Sequence, residues 1–300
     1  MCLTYFAEDY EYYDYKPWFI GNNVYRGENN VKNIYKEKYC VILGAAQTFG
    51  RRSNIIFSDI IESKLGIKFI NLSHGGNSPE RILSNINSNK LYKDILLNAE
   101  TVILQLMSPK NTTDDRGRYN WHPGANLSFP ENKNKKMMYK DFWQQYIKKY
   151  GESSFVDLWY DIQLKYSTEM TKIIKYLNKN SKIILLNTFK NPLKPSKNNK
   201  YIPSFPHIYP RIIELLKQQT DSYVEFNMSP YFPAPIYENK NTNADYNLNT
   251  IKNNISPQYF NIFNSLKTQN HPTIVTNQQS IYPTKEAHKK LAEALNDYFS

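Results

Sequence analysis

YCVILGAA, residues 39–46, is an apolar run that ends in small residues, and it predicts a buried strand. Further short apolar runs follow along the chain, separated by longer segments with helical spacing. Alternation of apolar strands with helices is typical of a parallel sheet that is covered on both faces. We therefore predict five strands, at residues 39–46, 67–72, 101–106, 182–187 and 223–226.

The helix signals lie between these runs. A helical pattern over residues 55–65 stops at Gly66, a common C-terminal signal. Ser78 is a good N-cap residue, and Pro79 and Glu80 suit the first turn that follows it. Further helices are predicted at residues 156–177, 210–218 and 285–299, with a weaker one at 139–150. The fold class is thus a three-layer α/β/α domain with a five-stranded parallel sheet.

The chain of 300 residues has room for one large domain. We assign residues 39–300 to that domain and residues 1–38 to a polar, Tyr-rich N-terminal arm on its surface. Two long stretches interrupt the strand–helix alternation, at about 108–155 and 229–282. Loops of this length are commonly lids, binding loops or partly disordered insertions.

Composition excludes several classes of protein. Hydrophobic residues make up 40% of the chain and charged residues 22%, so a core can form. No apolar run approaches the roughly 20 residues of a membrane span, and the acidic, aromatic N-terminus does not resemble a secretory signal. The two cysteines provide neither a disulfide framework nor a metal cluster. We expect a cytoplasmic protein without a metal or cofactor.

The net charge of +11 invites a nucleic-acid interpretation. The charge is dispersed, however, and the Lys, Asn, Ile and Tyr content is what AT-rich coding produces. We therefore expect no nucleic-acid partner.

Open parallel sheets place their sites in loops at the carboxyl ends of the strands. The candidate loops are residues 45–52, 73–78 and 107–111, together with the approach to the last helix. A phosphate-binding loop would require GxxxxGK[ST], whereas five residues separate Gly44 from Gly50, and Arg51 stands where lysine is expected. Nucleotide binding is therefore not favoured.

Residues 44–50, GAAQTFG, resemble GDSQTFG, the first block of the SGNH (GDSL-type) hydrolase and acyltransferase superfamily. Residues 71–78 (NLSHGGNS) and 102–108 (VILQLMS) resemble its second and third blocks, and YPTKEAHKKLA at 282–292 resembles its last. The resemblance implies one SGNH-like, flavodoxin-like scaffold over residues 39–299.

The departures from the family pattern affect its chemistry. The resemblance places the serine nucleophile on Ala46, the catalytic histidine on Tyr282 and the aspartate on Gln279. The oxyanion glycine falls on Gly76, whereas Ser108 or Asn111 only approximates the oxyanion asparagine. Methyl, phenol and amide groups do not form a base that titrates near neutral pH. The resemblance therefore implies that the usual esterase mechanism is absent.

Replacement catalytic groups are conceivable, each with a structural alternative. Thr48 is a candidate nucleophile, although its hydroxyl also suits bonding to the backbone. Ser78 is another, although it suits the N-cap role. His74 and His122 are candidate bases, although a single imidazole is more often a hydrogen-bonded structural residue. His288 matches the family's second, non-catalytic histidine.

The remaining groups suit a polyhydroxylated or anionic ligand such as a glycan. Arg51 and Arg81 stand at the edge of the expected pocket, and Arg51 is alternatively a solvated helix residue. The predicted ligand-binding residues are Gln47, Thr48, Arg51, Gly76, Asn77, Gln105, Ser108 and Tyr282.

Three functions follow from these residues. The first is an SGNH-like binding protein with a degenerate site; resemblance to an uncharacterised bacterial family suggests a link with polysaccharide assembly or modification. The second is an active esterase, or an acyl- or sulfo-transferase, that uses non-standard residues. The third is a scaffold that contacts partners through the arm and the insertions.

Overall fold

The computed structural model describes residues 15–16, 18–21, 23–27, 37–51, 53, 55–122, 126–188, 208–228 and 283–299. The strands within them are β1 Trp18–Ile20, β2 Asn23–Tyr25, β3 Tyr39–Leu43, β4 Lys68–Asn71, β5 Thr101–Gln105, β6 Asn120–His122, β7 Asn126–Ser128, β8 Met137–Met138, β9 Lys182–Asn187 and β10 Ser222–Glu225. The α-helices are α1 Ala46–Phe49, α2 Phe57–Leu65, α3 Pro79–Ser88, α4 Lys90–Leu97, α5 Tyr139–Leu177, α6 Pro210–Lys217 and α7 Lys285–Asn296.

The central sheet has five parallel strands in the order β4-β3-β5-β9-β10. This confirms the predicted fold class and all five predicted strands, with ends that differ by no more than three residues. Numbered along the chain, the order is 2-1-3-4-5, which is the flavodoxin-like arrangement. The strand order reverses between β3 and β5, so a crevice is expected where the loops after these strands diverge.

The alternating side chains of the strands build a core on each face of the sheet. On one face, Val41 and Val102 join a cluster with residues of α3 to α6 and the β1–β2 hairpin. On the other face, Ile42 and Ile103 pack with residues of α2 and α7. Both faces are therefore covered, as the apolar strands predicted.

The hairpin of β1 and β2 is integrated into the domain. Trp18, Ile20 and Tyr25 are buried in the larger core, and Arg26 forms a β-bridge with Asn71. We predicted a surface extension here, whereas the described part of residues 15–27 contributes buried side chains to the core.

The stretch at 108–155 carries its own small sheet, which the sequence analysis did not predict. Strands β6, β7 and β8 pair in antiparallel fashion and pack on α5 around an aromatic cluster that includes Trp143. Helix α5 joins the two helices predicted at 139–150 and 156–177. They meet at Gly151, where φ is 86°, a left-handed value that glycine tolerates best.

Two helices differ from the predictions. Helix α4 was not predicted, and α1 lies within a segment predicted as a loop. The predicted stretch 229–282 lies outside the described residues. Among the described residues, no helix combines the length and the apolar character that crossing a bilayer requires.

Candidate functional site at the switch in strand order

Gln105, the last residue of β5, connects the loops at the switch point. Its Oε1 accepts from Ala45 N at 2.8 Å and from Thr48 Oγ1 at 2.8 Å. Its Nε2 donates to Thr188 Oγ1 at 2.9 Å and more weakly to Gln47 Oε1 at 3.4 Å. Both the oxygen and the nitrogen of this fully buried amide therefore have hydrogen-bond partners, as buried polar groups in proteins generally do.

Thr48 is fully buried within the same network. Since its hydroxyl proton goes to Gln105, its oxygen accepts from Ser73 Oγ, which lies 2.8 Å away. Neither partner is a base that titrates near neutral pH, so this arrangement does not activate the hydroxyl as a nucleophile. The observed contacts agree with the structural alternative for Thr48.

Gly44 is required by this packing. A Cβ at this position would lie 2.2 Å from Thr48 Oγ1 and 2.5 Å from Gln105 Oε1. The first glycine of the GAAQTFG block therefore makes room for the hydrogen-bonded pair.

The loop after β4 is anchored to the loop after β3. Asn77 Nδ2 donates to the Gly44 carbonyl at 2.9 Å, and His74 N donates to the same oxygen at 3.1 Å. Gly76 has a φ of 70°, which suits glycine. Asn77 and the His74 amide therefore hold the second loop beside the first loop.

The loop after β5 is tied to Asn77. Asn111 Nδ2 donates to the Asn77 carbonyl at 3.1 Å, and Ser108 Oγ accepts from Lys110 N at 3.3 Å at the start of a short 3-10 turn. Both approximate counterparts of the oxyanion asparagine are thus in structural hydrogen bonds. Burial also lowers the pKa of Lys110 to about 8, which no sequence pattern indicated.

Of the three positions where the resemblance places the triad, the structure describes one. Ala46 is the first residue of α1 and is buried. Tyr282 and Gln279 lie outside the described residues. The predicted anion contact Arg51 is also buried, with 5% of its surface exposed, which does not fit a solvated helix residue.

Ser78 and His74 occupy structural positions. Ser78 Oγ accepts from Arg81 N at 3.3 Å as the N-cap of α3. His74 is buried, and its Nδ1 lies 2.6 Å from the Gly75 carbonyl oxygen. Burial, and secondarily the Arg81 charge, lower the pKa of His74 to about 3. The imidazole is therefore neutral at physiological pH and a weak base.

His122 is the one candidate base with a hydroxyl partner among the described residues. Its Nε2 lies 2.9 Å from Ser128 Oγ, across the β6–β7 hairpin. Burial, and then the Lys136 charge, lower the pKa of His122, so its neutral form is favoured. Ser128 is fully buried, which shields the hydroxyl from a substrate. Ser128 carried no sequence signal, because the pairing depends on the register of a hairpin that was not predicted.

The described residues contain no group of three His, Cys, Asp or Glu side chains placed to hold a metal ion. The site they form is polar and mostly neutral.

Several solved structures are similar to this chain at low identity. The acetylxylan esterase Axe2 from Geobacillus stearothermophilus has a TM-score of 0.41 and 11% identity, covering 88% of this chain and 94% of that one. Protein YxiM from Bacillus subtilis has a TM-score of 0.35 and 12% identity, covering 72% and 49%. A candidate GDSL-like lipase from Parabacteroides merdae has a TM-score of 0.34 and 15% identity, covering 64% and 80%.

The sequence itself places the chain in a family. No curated protein sequence matches it. A family model described as a domain of unknown function (DUF6473) matches residues 10–245, well over half of the chain, and the chain belongs to that family.

Proposed function

We propose that this protein is an SGNH-hydrolase-like binding protein that lacks the Ser-His-Asp triad. Its ligand is small and polar, either glycan-like or anionic, and occupies the crevice at the switch in strand order. Polysaccharide assembly or modification is the proposed setting, and the cytoplasm is the predicted location. The observation that carries the proposal is a methyl group, that of Ala46, where the resemblance places the nucleophile.

The surroundings of Ala46 support loss of the old chemistry. Ester hydrolysis by this family's mechanism requires a hydroxyl, an imidazole that removes its proton and a carboxylate that orients the imidazole. The nearest hydroxyl along the chain, that of Thr48, bonds to the neutral amide of Gln105. The imidazole of the second loop, His74, is neutral and bonds to a backbone carbonyl.

The same contacts support retention of a binding site. Hydrogen bonds from Asn77 and Asn111 fix the three loops against each other. Preorganised loops lower the entropy cost of binding. Neutral amides and hydroxyls are groups that recognise sugar hydroxyls without supplying a base.

Restoring the triad tests the proposal that the protein lacks esterase chemistry. We expect the wild type to hydrolyse none of a panel of fluorogenic acyl esters above the buffer rate. The variant Ala46→Ser/Gln279→Asp/Tyr282→His is expected to acquire measurable turnover. Ala46→Ser alone is the matched control and stays inactive, because its hydroxyl still lacks an imidazole. Wild-type turnover that Thr48→Val removes would overturn the proposal.

A ligand screen tests the proposal that the crevice binds a small polar ligand. Thermal shift with neutral sugars, uronic acids and sulfated sugars is expected to raise the melting temperature for at least one class. Stabilisation scales with the ratio of ligand concentration to Kd, roughly 2.7 kcal/mol at a hundredfold excess. A substitution in the crevice, Asn77→Ala, is expected to reduce the shift. The absence of any shift at millimolar concentrations would contradict a binding function.

One observation favours a second candidate, an esterase or an acyl- or sulfo-transferase with unusual residues. The pair His122–Ser128 has the hydrogen bond that an activated nucleophile requires. Turnover of any ester that both Ser128→Ala and His122→Gln abolish, with Ala46→Ser unchanged, would favour this candidate. The buried position of Ser128 is the reason we rank it second.

A further inference from the structure

A short polar segment follows the loop after β5. Residues 113–118, TDDRGR, carry no apolar side chain, and each of them is exposed or half-exposed. The two flanking residues, Thr112 and Tyr119, are buried, and the Tyr119 hydroxyl donates to the Thr112 carbonyl at 2.5 Å. This segment, the 113–118 strap, is therefore closed at its base and has no apolar side chain of its own to anchor it.

Glu80 and Lys165 hold the start of the strap. The Glu80 carboxylate accepts from Thr113 N at 3.0 Å and from Thr113 Oγ1 at 2.7 Å. Lys165 Nζ lies 2.6 Å from the same carboxylate, donates to Thr113 Oγ1 at 2.8 Å and forms an ion pair with Asp115. One ammonium on α5 thus uses its three donors to connect that helix with α3 and the strap.

Two arginines hold the end of the strap. Arg118 Nη2 lies 2.8 Å from an Asp114 oxygen and 2.9 Å from an oxygen of Asp161 on α5. Arg116 Nη1 lies 3.1 Å from the same Asp161 oxygen. The Asp114 carboxylate also accepts from the Arg118 amide at 2.5 Å, which orders the turn inside the strap. Each of these contacts with α3 and α5 involves at least one charged group.

Salt weakens charge interactions of this kind, whereas burial of apolar surface is not screened by ions. The range of a charge interaction falls from about 10 Å at 0.1 M salt to about 3 Å at 1 M. One partly exposed ion pair stabilises little, so several must act together to hold a segment. We propose that the 113–118 strap is an electrostatic latch that opens at high ionic strength while the sheet stays folded.

The latch lies beside the crevice, between its second and third loops. Thr113 comes two residues after Asn111, which donates to the Asn77 carbonyl, and Glu80 comes two residues after Ser78. Opening therefore removes the ion-paired tether between these loops and leaves the hydrogen bond from Asn111 to Asn77. The latch is a property of the protein without a ligand, so it does not depend on the proposed binding function.

Residue-resolved hydrogen exchange of the whole chain tests the latch. The amides of Thr113 and Arg118 donate directly to carboxylates of the strap and its tether, so their exchange reports on opening. Between about 0.02 M and about 0.5 M sodium chloride at constant pH, we expect both amides to exchange about tenfold faster, since several ion pairs weaken together.

An amide in another exposed turn is the internal control. Lys135 N donates to the Asn132 carbonyl, which carries no charge. Its exchange should change by less than about twofold over the same range of salt. The amides of β5 report on the fold as a whole and should also change by less than about twofold.

Two lysines of α5 provide a matched pair of variants. Lys165→Met keeps the apolar stem and removes the ammonium that connects α3 with the strap. We expect about tenfold faster exchange at Thr113 at low salt, with most of the further increase with salt removed. Lys172→Met removes the same charge two turns along the helix, from an ion pair with Glu169 at 2.8 Å, and should behave like the wild type.

Three results would overturn the latch. Exchange at Thr113 that does not respond to salt would show that charge does not hold the strap. Equal effects of Lys165→Met and Lys172→Met would show that net charge, rather than this ion-pair network, sets the exchange. Acceleration that is equal in the strap and in β5 would show a loss of global stability instead of local opening.

Discussion

At the scale of single residues, Gln105 explains why the Thr48 hydroxyl is a hydrogen-bonded structural group rather than an activated nucleophile. An amide both accepts and donates, so one side chain satisfies Ala45 N, Thr48 and Thr188 together. It does not exchange protons near neutral pH, so the hydroxyl it holds keeps its own proton.

The stability of this network can be tested at Gln105. Gln105→Leu keeps a similar volume but removes the acceptor of Ala45 N and of the Thr48 hydroxyl, and the donor to Thr188 Oγ1. We expect a loss of about 2–4 kcal/mol in the free energy of unfolding, since each unsatisfied buried group costs roughly 1–3 kcal/mol. Urea denaturation monitored by circular dichroism measures this loss in unfolding free energy. Gln144→Leu, at an exposed position of α5, is the control and should stay within about 0.5 kcal/mol.

At this scale the sequence reveals residue types, whereas the hydrogen-bond partners of a side chain require the structure. The alanine at position 46 is visible in the GAAQTFG block, because the chemistry of a side chain follows from residue type. The partners of Thr48 and His122 are not visible, because Ser73 and Ser128 reach them only through sheet register. Arg51 was weighed as a solvated residue, yet it is buried.

At the scale of elements, the β1–β2 hairpin stabilises the first site loop through Arg26. This buried side chain donates to the Gly50 carbonyl at 2.9 Å and to the Ser53 carbonyl at 2.6 Å. It also lies over the Tyr15 ring, 5.2 Å from its centroid. Arg26, the residue after β2, therefore holds the segment that follows α1 through two hydrogen bonds.

Replacing Arg26 tests this contact. Arg26→Met keeps the apolar stem but removes a hydrogen bond from each carbonyl, of which Gly50 O still accepts from Ser53 N. We therefore expect a loss of about 1–3 kcal/mol in unfolding free energy. Hydrogen exchange in residues 46–53 is expected to accelerate more than elsewhere. Arg26→Lys retains the charge without the fork and should fall in between. Exchange that rises uniformly along the chain would instead indicate a general loss of stability, and the contact would not be specific to this loop.

The accuracy of the sequence predictions varied with element length and burial. The five strands of the central sheet were predicted because they are apolar runs bounded by turn residues. Strands β1, β2 and β6 have three residues each, which is too short for a period to show. The two halves of α5 were predicted separately because Gly151 interrupts the helical pattern between them.

At the scale of the whole molecule, burial keeps two histidines, His74 and His288, in the neutral form. His74 lies in a loop at the carboxyl edge, and His288 is fully buried in α7, where its ring stacks on Phe57 with centroids 6.2 Å apart. Neither ring nitrogen of His288 has a hydrogen-bond partner among the described residues. Burial lowers the pKa of His288 to about 3, with a smaller contribution from the Arg26 charge.

Because these folded-state pKa values lie below the ordinary value of about 6.5, the unfolded chain binds more protons as the pH falls. Stability is therefore fully present above about pH 6.5 and declines toward pH 3, by up to about 1.4 kcal/mol per pH unit for each histidine. His288→Phe removes one of the two contributions and two unpaired polar atoms, so at pH 7.5 it should be neutral or slightly stabilising. Urea denaturation at pH 7.5, 6.0 and 5.0 is expected to show a shallower pH dependence for His288→Phe than for the wild type. Equal slopes for both proteins would contradict a neutral, buried His288, since the slope difference reports the proton that only the unfolded chain takes up.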